Sequence, residues 1–392
     1  MEHRFADYVL DDTRHSLTRA GFAVPVEPLV FDLLHLLVRR AGELVTRDDM
    51  IEEIWQGRIV SDSAVTACVA AARKAVGDDG KAQAKIRTIP RRGLMFVAEV
   101  NGGEAEPPQT ASRQSSPVQR IRYARNADGH MLAYAVTGDG PDVLCFGPPL
   151  TMDLEAEWRT PVERRFIKRL SERLRYLRFD HLGSGQSERV EPLLDFAAQA
   201  DDAAAVADAA GLDRFAAVSW SGGVLAAIHF AARYPERLTR LAIVGGYVDG
   251  RAKRGQTDAD DSLKTMISEG WGKPDSAFAT AFLTSYFPEG PLDDVRDMVR
   301  IMQVACPPET MLRDRDALNN VSVAHLLKDV QCPTLILQGR HNAVHPLSEA
   351  QKLSAGISNA ELVIFETANH WPLPGNAAWE PFMDTLIDFL ES

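Results

Sequence analysis

Cysteine is scarce in this sequence, with 4 among 392 residues. Cys68, Cys145, Cys306 and Cys332 follow neither metal-ligand nor disulfide-framework spacing, which argues against a zinc module and a disulfide-stapled secreted domain. The N-terminal segment also lacks the apolar core of a signal peptide. The longest apolar stretch, 215–232, is interrupted by serine, glycine and histidine, so it does not predict a membrane span. We therefore expect a cytoplasmic protein without membrane contact.

A basic excess and a nucleotide-binding loop are also missing. The net charge is −12, and most of it lies after residue 100, so nucleic-acid binding can only be a local property. The segment Gly183-Ser184-Gly185 lacks the lysine of a phosphate-binding loop. The sequence therefore predicts neither a cofactor nor a metal site.

The length and the local composition predict two domains. The segment 101–118 is rich in proline, glutamine and serine and has no hydrophobic periodicity, so we expect a flexible linker there. It separates a first domain over 1–100 from a second domain over 119–392.

The first domain begins with short β-like segments, which are followed by three helical patterns and a hairpin. The helices are predicted to begin at Pro28, at Thr46 and at Asp62 or Ser63. The β-like segments are Arg4–Leu10, Ser16–Arg19, Ala23–Val26, Ile86–Ile89 and Leu94–Val97. The third helix is expected to bury its valine face.

Ordered motifs in this domain carry a family resemblance. They are Glu43-Leu44-Val45-Thr46-Arg47, Ile54-Trp55, Val60-Ser61-Asp62, Ala75-Val76-Gly77-Asp78-Asp79, Ile86-Arg87-Thr88 and Arg92-Gly93-Leu94-Met95-Phe96-Val97. Residues 3–100 resemble the OmpR/PhoB-type winged-helix DNA-binding domain, an α+β winged helix-turn-helix. The resemblance implies that the third helix enters the major groove of operator DNA and that the hairpin, the wing, approaches phosphates or the minor groove.

Candidate DNA contacts lie on the solvent side of the third helix and on the wing. Hydroxyl groups can contact bases or phosphates, and cationic side chains can neutralise phosphates. The candidates are Ser63, Thr66, Arg73, Lys74, Arg87, Thr88, Arg91 and Arg92. Ala67 and Ala70 cannot hydrogen-bond bases, so we expect affinity to depend on the wing and on dimerisation. The alternative is a winged helix that binds another protein.

Strand and helix patterns alternate in the second domain, which predicts a doubly wound, mostly parallel sheet after an antiparallel opening at 121–136. A helix is expected over Phe166–Leu174 and another over Asp195–Ala210. Residues 247–328 break the alternation with helical pieces rich in aromatic residues and methionine. This segment is predicted to form a cap.

Ser219-Trp220-Ser221-Gly222-Gly223 joins an apolar strand pattern to an alanine-rich helical pattern and predicts a nucleophile elbow, a sharp turn that exposes the Ser221 hydroxyl. The spacing is that of G-x-S-x-G, with Ser219 at the first glycine. Three further motifs are Asp180-x-x-Gly183-x-Gly185-x-Ser187, Gly339-Arg340…Pro346 and Asn369-His370-Trp371-Pro372. Together they make residues 119–392 resemble the α/β-hydrolase fold, which implies a pocket between the cap and the sheet.

The resemblance implies that Ser221 is the nucleophile and His370 the general base. Asn342 stands where the family usually has the acid, and an amide cannot offset the positive charge that develops on His370. Asp249, beyond the strand predicted at 241–244, is either an alternative acid or a solvated residue at the cap hinge.

An oxyanion hole is expected to use the Gly222 N–H and a second donor from Gly147 or Leu150. Pro148 and Pro149 have no N–H, which weakens this part of the site. The residues expected to contact a ligand are Ser221, Trp220, His370 and Leu150.

These departures favour a DNA-binding transcriptional regulator whose α/β-hydrolase-like domain senses a small organic effector with weak or no hydrolysis. A homodimer on operator DNA is expected. The alternative is an active serine esterase with an appended winged helix, and a scaffold with an empty pocket is a third interpretation.

Overall fold

The structure is a computed structural model that describes residues 2–12, 16–19, 22–55, 60–78, 81–90, 92–98, 100–101, 119–190, 194–273 and 276–392. The chain divides into two compact units, Met1–Ser116 and Pro117–Ser392. The predicted linker 101–118 lies outside the described residues, except for its first residue. Each unit is described by itself.

The first unit combines short antiparallel strands with helices. Its elements are β1 (Glu2–Phe5), β2 (Tyr8–Asp11), β3 (Ser16–Arg19), β4 (Phe22–Val24), α1 (Pro28–Arg39), β5 (Leu44–Val45), α2 (Arg47–Trp55), α3 (Asp62–Ala75), β6 (Ile86–Ile89), β7 (Gly93–Phe96) and β8 (Val100–Asn101). One sheet has the order β4-β3-β2-β1-β8 and the other has the order β5-β7-β6. The predicted β-like segment Arg4–Leu10 is two strands, because Ala6 adopts a φ of +49° in a turn.

Local side-chain contacts fix where the helices of the first unit begin. Thr46 and Asp49 exchange hydrogen bonds as a capping box, with Asp49 N donating to Thr46 Oγ1 over 3.1 Å. The Ser61 hydroxyl accepts the Ala64 N–H at the start of α3. α3 packs against α1 and buries its Val65 and Ala72 side chains. The opposite side of α3 faces solvent, as its pattern predicts.

The second unit alternates strands and helices around one large sheet. Its elements are β9 (Ile121–Arg125), β10 (Met131–Thr137), β11 (Asp142–Phe146), α4 (Leu154–Arg159), α5 (Pro161–Ser171), β12 (Arg175–Phe179), α6 (Phe196–Ala209), β13 (Phe215–Trp220), α7 (Gly223–Arg233), β14 (Leu238–Val244), α8 (Thr257–Gly270), α9 (Ala277–Thr284), α10 (Leu292–Ala305), α11 (Pro308–Asn320), a 3-10 helix (Ala324–Asp329), β15 (Thr334–Gly339), α12 (Leu347–Gly356), β16 (Ala360–Phe365) and α13 (Trp379–Glu391).

The sheet has the strand order β16-β15-β14-β13-β11-β12-β10-β9. β11 to β16 pair in parallel, whereas β10 pairs antiparallel with β9 and β12. β13 lies between β11 and β14 and is buried along its whole length. In such a sheet, ligands bind beyond the carboxyl ends of the parallel strands. This places the end of β13 at the expected site.

Two helices of the second unit, α4 and α12, were not predicted from the sequence. α4 spans only Leu154–Arg159, which is too short for a periodic apolar pattern, and it depends on Asp153, whose carboxylate accepts the N–H groups of Glu155 and Ala156. The helix predicted at Phe166–Leu174 is α5, which begins at Pro161 and ends at Ser171. Among the helices in the described ranges, none has both the length and the apolarity needed to cross a bilayer.

Candidate functional site

Ser221 lies on a strained turn between β13 and α7. Its φ is +49°, a left-handed conformation that is costly for a residue other than glycine. The Ser221 N–H donates to Val244 O over 2.9 Å, which ties the turn to the end of β14. A Cβ on Gly223 would lie 2.1 Å from the Phe146 carbonyl oxygen. The strand and the helix therefore meet so closely that only glycine fits at position 223.

His370 is positioned to contact Ser221 through one ring nitrogen. Ser221 Oγ lies 2.8 Å from His370 Nε2. The His370 backbone N–H donates to Tyr286 O over 2.8 Å, so the cap helps to place the histidine. His370 is buried, and burial followed by the positive charge of Arg251 lowers the pKa of His370 to about 3. The imidazole is therefore neutral at pH 7.

Asn342 contacts the other ring nitrogen of His370, and its amide orientation is fixed by the backbone. Asn342 Oδ1 accepts the N–H groups of Val344, over 2.9 Å, and His345, over 3.1 Å. Because two donors lie on that side, the oxygen must be there and Nδ2 must face His370. Asn342 Nδ2 lies 3.1 Å from His370 Nδ1 and 3.2 Å from His370 O. The amide thus offers donors where an acid would offer acceptors.

This arrangement sets the tautomer of His370. Asn342 Oδ1 also lies 3.3 Å from His370 Nδ1, but Oδ1 already accepts two N–H groups and the Nδ2 contact is shorter. We therefore assign His370 Nδ1 as the acceptor and place the ring proton on Nε2, where it donates to Ser221 Oγ. A histidine in this tautomer cannot accept the Ser221 proton. The geometry of a triad is present, but the proton is on the wrong nitrogen.

The loop after β11 offers few hydrogen-bond donors to a substrate oxyanion. Within the described residues, nothing accepts the Gly222 N–H, which leaves it available. Opposite it, Pro149 Cδ lies 3.2 Å from the position of a Cβ on Gly222. Pro148 and Pro149 line the cavity beside Ser221, and neither has an N–H. Gly147 is not part of the cavity wall, and its carbonyl contacts His181.

A cavity of ≈ 160 Å³ lies between the sheet and the cap, next to Ser221 and His370. Most of its wall is apolar and comes from cap residues, including Phe282, Leu283 and Met298. Its volume is close to the ~150 Å³ of a protein cavity that takes up benzene. The cavity therefore has room for one small organic molecule beside the serine hydroxyl.

The first unit presents its predicted DNA-contacting residues at the surface of α3 and the hairpin β6–β7. Ser63, Thr66 and Lys74 are exposed on α3, and Arg87, Thr88 and Arg92 are exposed on the hairpin. Arg91 lies outside the described residues.

Arg73 is only half exposed, because its guanidinium holds α3 to the hairpin. Arg73 Nη2 donates to Thr88 Oγ1 over 2.8 Å and to Ile86 O over 3.1 Å. The buried Asp78 carboxylate accepts N–H groups at the start of the hairpin, including those of Lys85 and Ile86. Arg73 and Asp78 thus fix the wing relative to α3.

Comparison with known families agrees with both halves of this description. Residues 21–96 match the family "Transcriptional regulatory protein, C terminal". Residues 155–377, more than half of the chain, match the family "alpha/beta hydrolase fold". The chain belongs to the alpha/beta hydrolase fold family. It carries an OmpR/PhoB-type winged helix at its N-terminal end, and the predicted fold classes of both domains are confirmed.

Individual relatives of this hydrolase-fold protein each match part of the chain. The chain is 26% identical to the transcriptional activator CadC of Escherichia coli over 141 residues, 36% of this chain and 28% of CadC. It is also 26% identical to a 2-hydroxy-6-oxononadienedioate/2-hydroxy-6-oxononatrienedioate hydrolase of Paraburkholderia phymatum over 210 residues, 47% of this chain and 65% of that protein. The chain thus spans less than two thirds of either relative.

A solved structure supports the fold of the second unit. The crystal structure of a hydrolase from Pseudomonas aeruginosa PA01 superposes with a TM-score of 0.57 at 21% sequence identity. The match covers 70% of this chain and 99% of that one. At this identity the likeness concerns the fold alone.

Two residues predicted to contact a ligand lie elsewhere in the hydrolase fold. Trp220 packs against Phe166, Trp371 and Phe382 and is not part of the cavity wall. Its side chain points away from the cavity because it precedes the turn that exposes Ser221. Leu150 is buried in the same hydrophobic cluster as Phe166. The loop instead lines the cavity with its prolines, Thr151 and Met152.

Asp249, the alternative acid, is not hydrogen-bonded to His370. Its carboxylate accepts from Lys352 Nζ over 2.8 Å, and its backbone forms a bridge with Ser322. Burial raises the pKa of Asp249, but hydrogen bonds from Lys352 and Ser322 outweigh burial and lower it. The residue ties the cap hinge to α12, and among the described side chains it is Asn342 that contacts His370 Nδ1.

Sequence reasoning missed several polar residues of the cavity wall in this hydrolase fold. Arg251 and Tyr286 come from the segment recognised only as a cap, and Arg315 lies on α11. His345 also lines the cavity, with its ring stacked on Tyr247 at 4.1 Å and its Nδ1 3.0 Å from Arg254 Nη1. Cap segments follow no fixed motif spacing, so the sequence alone does not identify these residues as neighbours. They come together only in the folded chain.

The lowered pKa of His370 predicts a pH-dependent contribution to stability. In the unfolded chain the imidazole binds a proton below about pH 6.5, whereas in the folded protein it stays neutral down to about pH 3. Lowering the pH from 7 to 5 therefore stabilises the unfolded state. We expect the stability advantage of the wild type over His370→Gln to fall by about 2 kcal/mol across that range.

Urea unfolding of both proteins at the two pH values measures this change. The comparison cancels the contribution of other titrating groups, such as Glu157 and Asp180, whose pKa values burial raises to about 7. A difference that stays constant with pH would mean that His370 titrates normally in the folded protein.

Proposed function

We propose that this protein is a ligand-responsive transcription regulator in which the hydrolase-fold unit binds a small organic effector and hydrolyses it slowly or not at all. The observation that carries the proposal is the Asn342 amide, whose Nδ2 faces His370 Nδ1 because its Oδ1 accepts two backbone N–H groups. The proline-lined oxyanion region supports it. The binding cavity does not depend on either catalytic feature.

The winged helix is the proposed reader of operator DNA. A homodimer would place two such units on half-sites, and effector binding under the cap would change their relative placement or their population of binding-competent states. We propose the cytoplasm as the compartment.

The proposal is tested on the full-length protein. Native mass spectrometry reports whether the purified protein carries a small molecule. Gel-shift titrations then compare the operator affinity of the protein as purified with that of the protein after the small molecule has been removed. We expect operator affinity to differ between the two forms. Equal affinity of both forms at every candidate operator would contradict a sensor function.

An active serine hydrolase is the second candidate function. It is favoured by the 2.8 Å contact between Ser221 Oγ and His370 Nε2 and by the strained φ of Ser221. Fluorophosphonate labelling separates the two candidates. Rapid, stoichiometric labelling at Ser221 together with turnover of short acyl esters would favour the hydrolase, and Ser221→Ala is the control.

Lys74 offers a direct test of the DNA-binding surface. It is exposed in the last turn of α3, and we expect it to contact a phosphate. Lys74→Ala should weaken binding to different duplexes to a similar extent and reduce the slope of log K against log salt by about 1.

The matched control removes the same charge from the hydrolase-fold unit, in Lys273→Ala, because Lys273 is exposed on the cap side. Arg73→Ala is unsuitable, since Arg73 also holds the wing. An unchanged salt slope in Lys74→Ala, or an equal loss in Lys273→Ala, would contradict the assigned surface.

A further inference from the structure

One part of the cavity wall carries hydrogen-bond donors in an otherwise apolar surface. Arg251 follows β14, Arg315 and Asn319 lie on α11, and Tyr286 follows α9. Arg315 Nη1 lies 3.5 Å from the Tyr286 hydroxyl oxygen. With Arg315 donating to that oxygen, the phenol hydrogen remains available for another acceptor. We call these four residues the donor cluster.

Asn319 adds an independent observation at the same place. Asn319 is only 5% exposed, and its Nδ2 has no hydrogen-bond partner among the described residues. A buried amide N–H without an acceptor is costly, and native proteins rarely leave one unsatisfied. Because Asn319 lines the cavity, a ligand acceptor group would satisfy it.

The electrostatic environment of the donor cluster is positive. Burial raises the pKa of Tyr286, but the charges of Arg315 and Arg251 outweigh burial and lower it. Burial lowers the pKa of His345 well below its usual value, and the neighbouring His370, Arg254 and Arg251 lower it further. The nearby histidines, His345 and His370, are therefore neutral at pH 7. A phenol made more acidic in this way is a better hydrogen-bond donor.

The carboxyl groups that line the cavity, those of Glu157 and Glu163, have a different arginine, Arg178, as their neighbour. Glu157 accepts from Arg178 Nη1 over 2.5 Å. Burial raises the pKa of Glu163 to about 7, and the nearby positive charge of Arg178 opposes this shift. The lining carboxyl groups are thus associated with Arg178, whereas the arginines of the donor cluster are associated with Tyr286.

The rest of the wall limits the ligand to a small apolar body. Phe282, Phe287 and Met298 contribute apolar surface beyond the donor cluster, and the volume of ≈ 160 Å³ suits about one ring or a short chain.

Planar guanidinium groups pair well with carboxylates because both can form two parallel hydrogen bonds.

Building on the proposed sensor function, we infer that the cavity binds a small organic carboxylic acid as its anion. The carboxylate lies among Arg251, Arg315 and Tyr286, with Asn319 donating to one of its oxygens. The apolar body of the ligand packs against the cap. Arg251 is thereby a specificity-determining residue that distinguishes the acid from its neutral amide.

Calorimetric titration of the full-length protein tests the inference with benzoate and phenylacetate, each compared with its primary amide. The amides have nearly the same shape but no charge. We expect at least one acid to bind about tenfold or more tightly than its amide. Arg251→Met should remove most of that preference, because it weakens binding of the acid more than binding of the amide.

Arg122→Met is the matched control, because it removes an exposed arginine that is not part of the cavity wall, and it should preserve the preference for the acid. Melting temperatures establish that each variant is folded. Equal binding of acid and amide, a preference that survives in Arg251→Met, or no binding of either acid up to its solubility limit would overturn the inference.

Gel-shift titrations with the same compounds separate this inference from the proposed function. An acid preference without any effect on operator binding would contradict the regulator and leave the carboxylate site standing. An operator response to the neutral amides alone would contradict the carboxylate site and support the regulator.

Discussion

Asn342→Asp is expected to convert this protein into a measurable esterase. The introduced carboxylate can accept the Val344 and His345 N–H groups with one oxygen, as Asn342 Oδ1 does. Its second oxygen then faces His370 Nδ1 as an acceptor instead of a donor. The proton moves to Nδ1, and Nε2 becomes free to accept the Ser221 proton.

The expected gain follows from the reverse change in a serine protease, where replacing the triad Asp by Asn lowers kcat by about 10⁴. The incomplete oxyanion region limits the result, because one missing donor costs about 10²–10³ in kcat. We therefore expect Asn342→Asp to raise turnover of p-nitrophenyl butyrate by up to about 10⁴ over the wild type. Activity would still fall short of a complete site.

Initial rates of p-nitrophenol release measure the gain. The double variant Asn342→Asp, Ser221→Ala should return to background, which separates turnover at the elbow from nonspecific cleavage. A wild type that already cleaves the ester as fast as Asn342→Asp would contradict the tautomer assigned to His370 and favour the hydrolase interpretation.

The serine–histidine pair was predictable because its motifs are local. The elbow requires small residues at fixed spacing around Ser221, and Asn342 follows a strand at the position of the expected acid. The sequence could not say which way the Asn342 amide points. That orientation depends on the backbone N–H groups of Val344 and His345, which the fold brings to Oδ1.

The cavity wall was less predictable because it is assembled from distant segments. Trp220 is next to the nucleophile in sequence, yet it packs into the core against Phe166. Arg251 and Arg315 are far apart in the chain, and no periodic pattern connects them. The same holds for the buried pair of Arg178 and Glu157, which joins β12 to α4.

In the winged helix, too, local features were predictable from the sequence and a long-range contact was not. The capping box of Thr46 and Asp49 and the valine face of α3 are local patterns, and the structure contains both. The contact of Arg73 with Ile86 O was not foreseen, because Arg73 was expected to face DNA phosphates. A side chain at the edge of a helix can be used by a neighbouring hairpin instead.

Gly223→Ala is expected to unfold the hydrolase-fold unit, or to lower its free energy of unfolding by more than about 4 kcal/mol. The new Cβ would lie 2.1 Å from Phe146 O and 2.7 Å from Gly147 O. Both are backbone atoms, and β11 cannot shift without breaking its parallel pairing with β13, where Phe146 is in register with Ser219.

The neighbouring glycine provides the control. Gly222 has a φ of −61°, which alanine adopts readily, and the nearest atom to its added Cβ is Pro149 Cδ at 3.2 Å. Gly222→Ala should therefore change the free energy of unfolding by about 1 kcal/mol or less, since a small shift of the proline ring relieves the contact. Urea unfolding followed by tryptophan fluorescence compares the two variants.

The winged helix should tolerate Gly223→Ala, because Met1–Ser116 is a compact unit of its own. We expect the variant to retain a protease-resistant fragment that binds duplex DNA nonspecifically after the hydrolase-fold unit has unfolded.

Equal stability of the two glycine variants would mean that β11 and α7 can separate at the elbow. The position of Ser221 would then not depend on the close contact between Gly223 and Phe146.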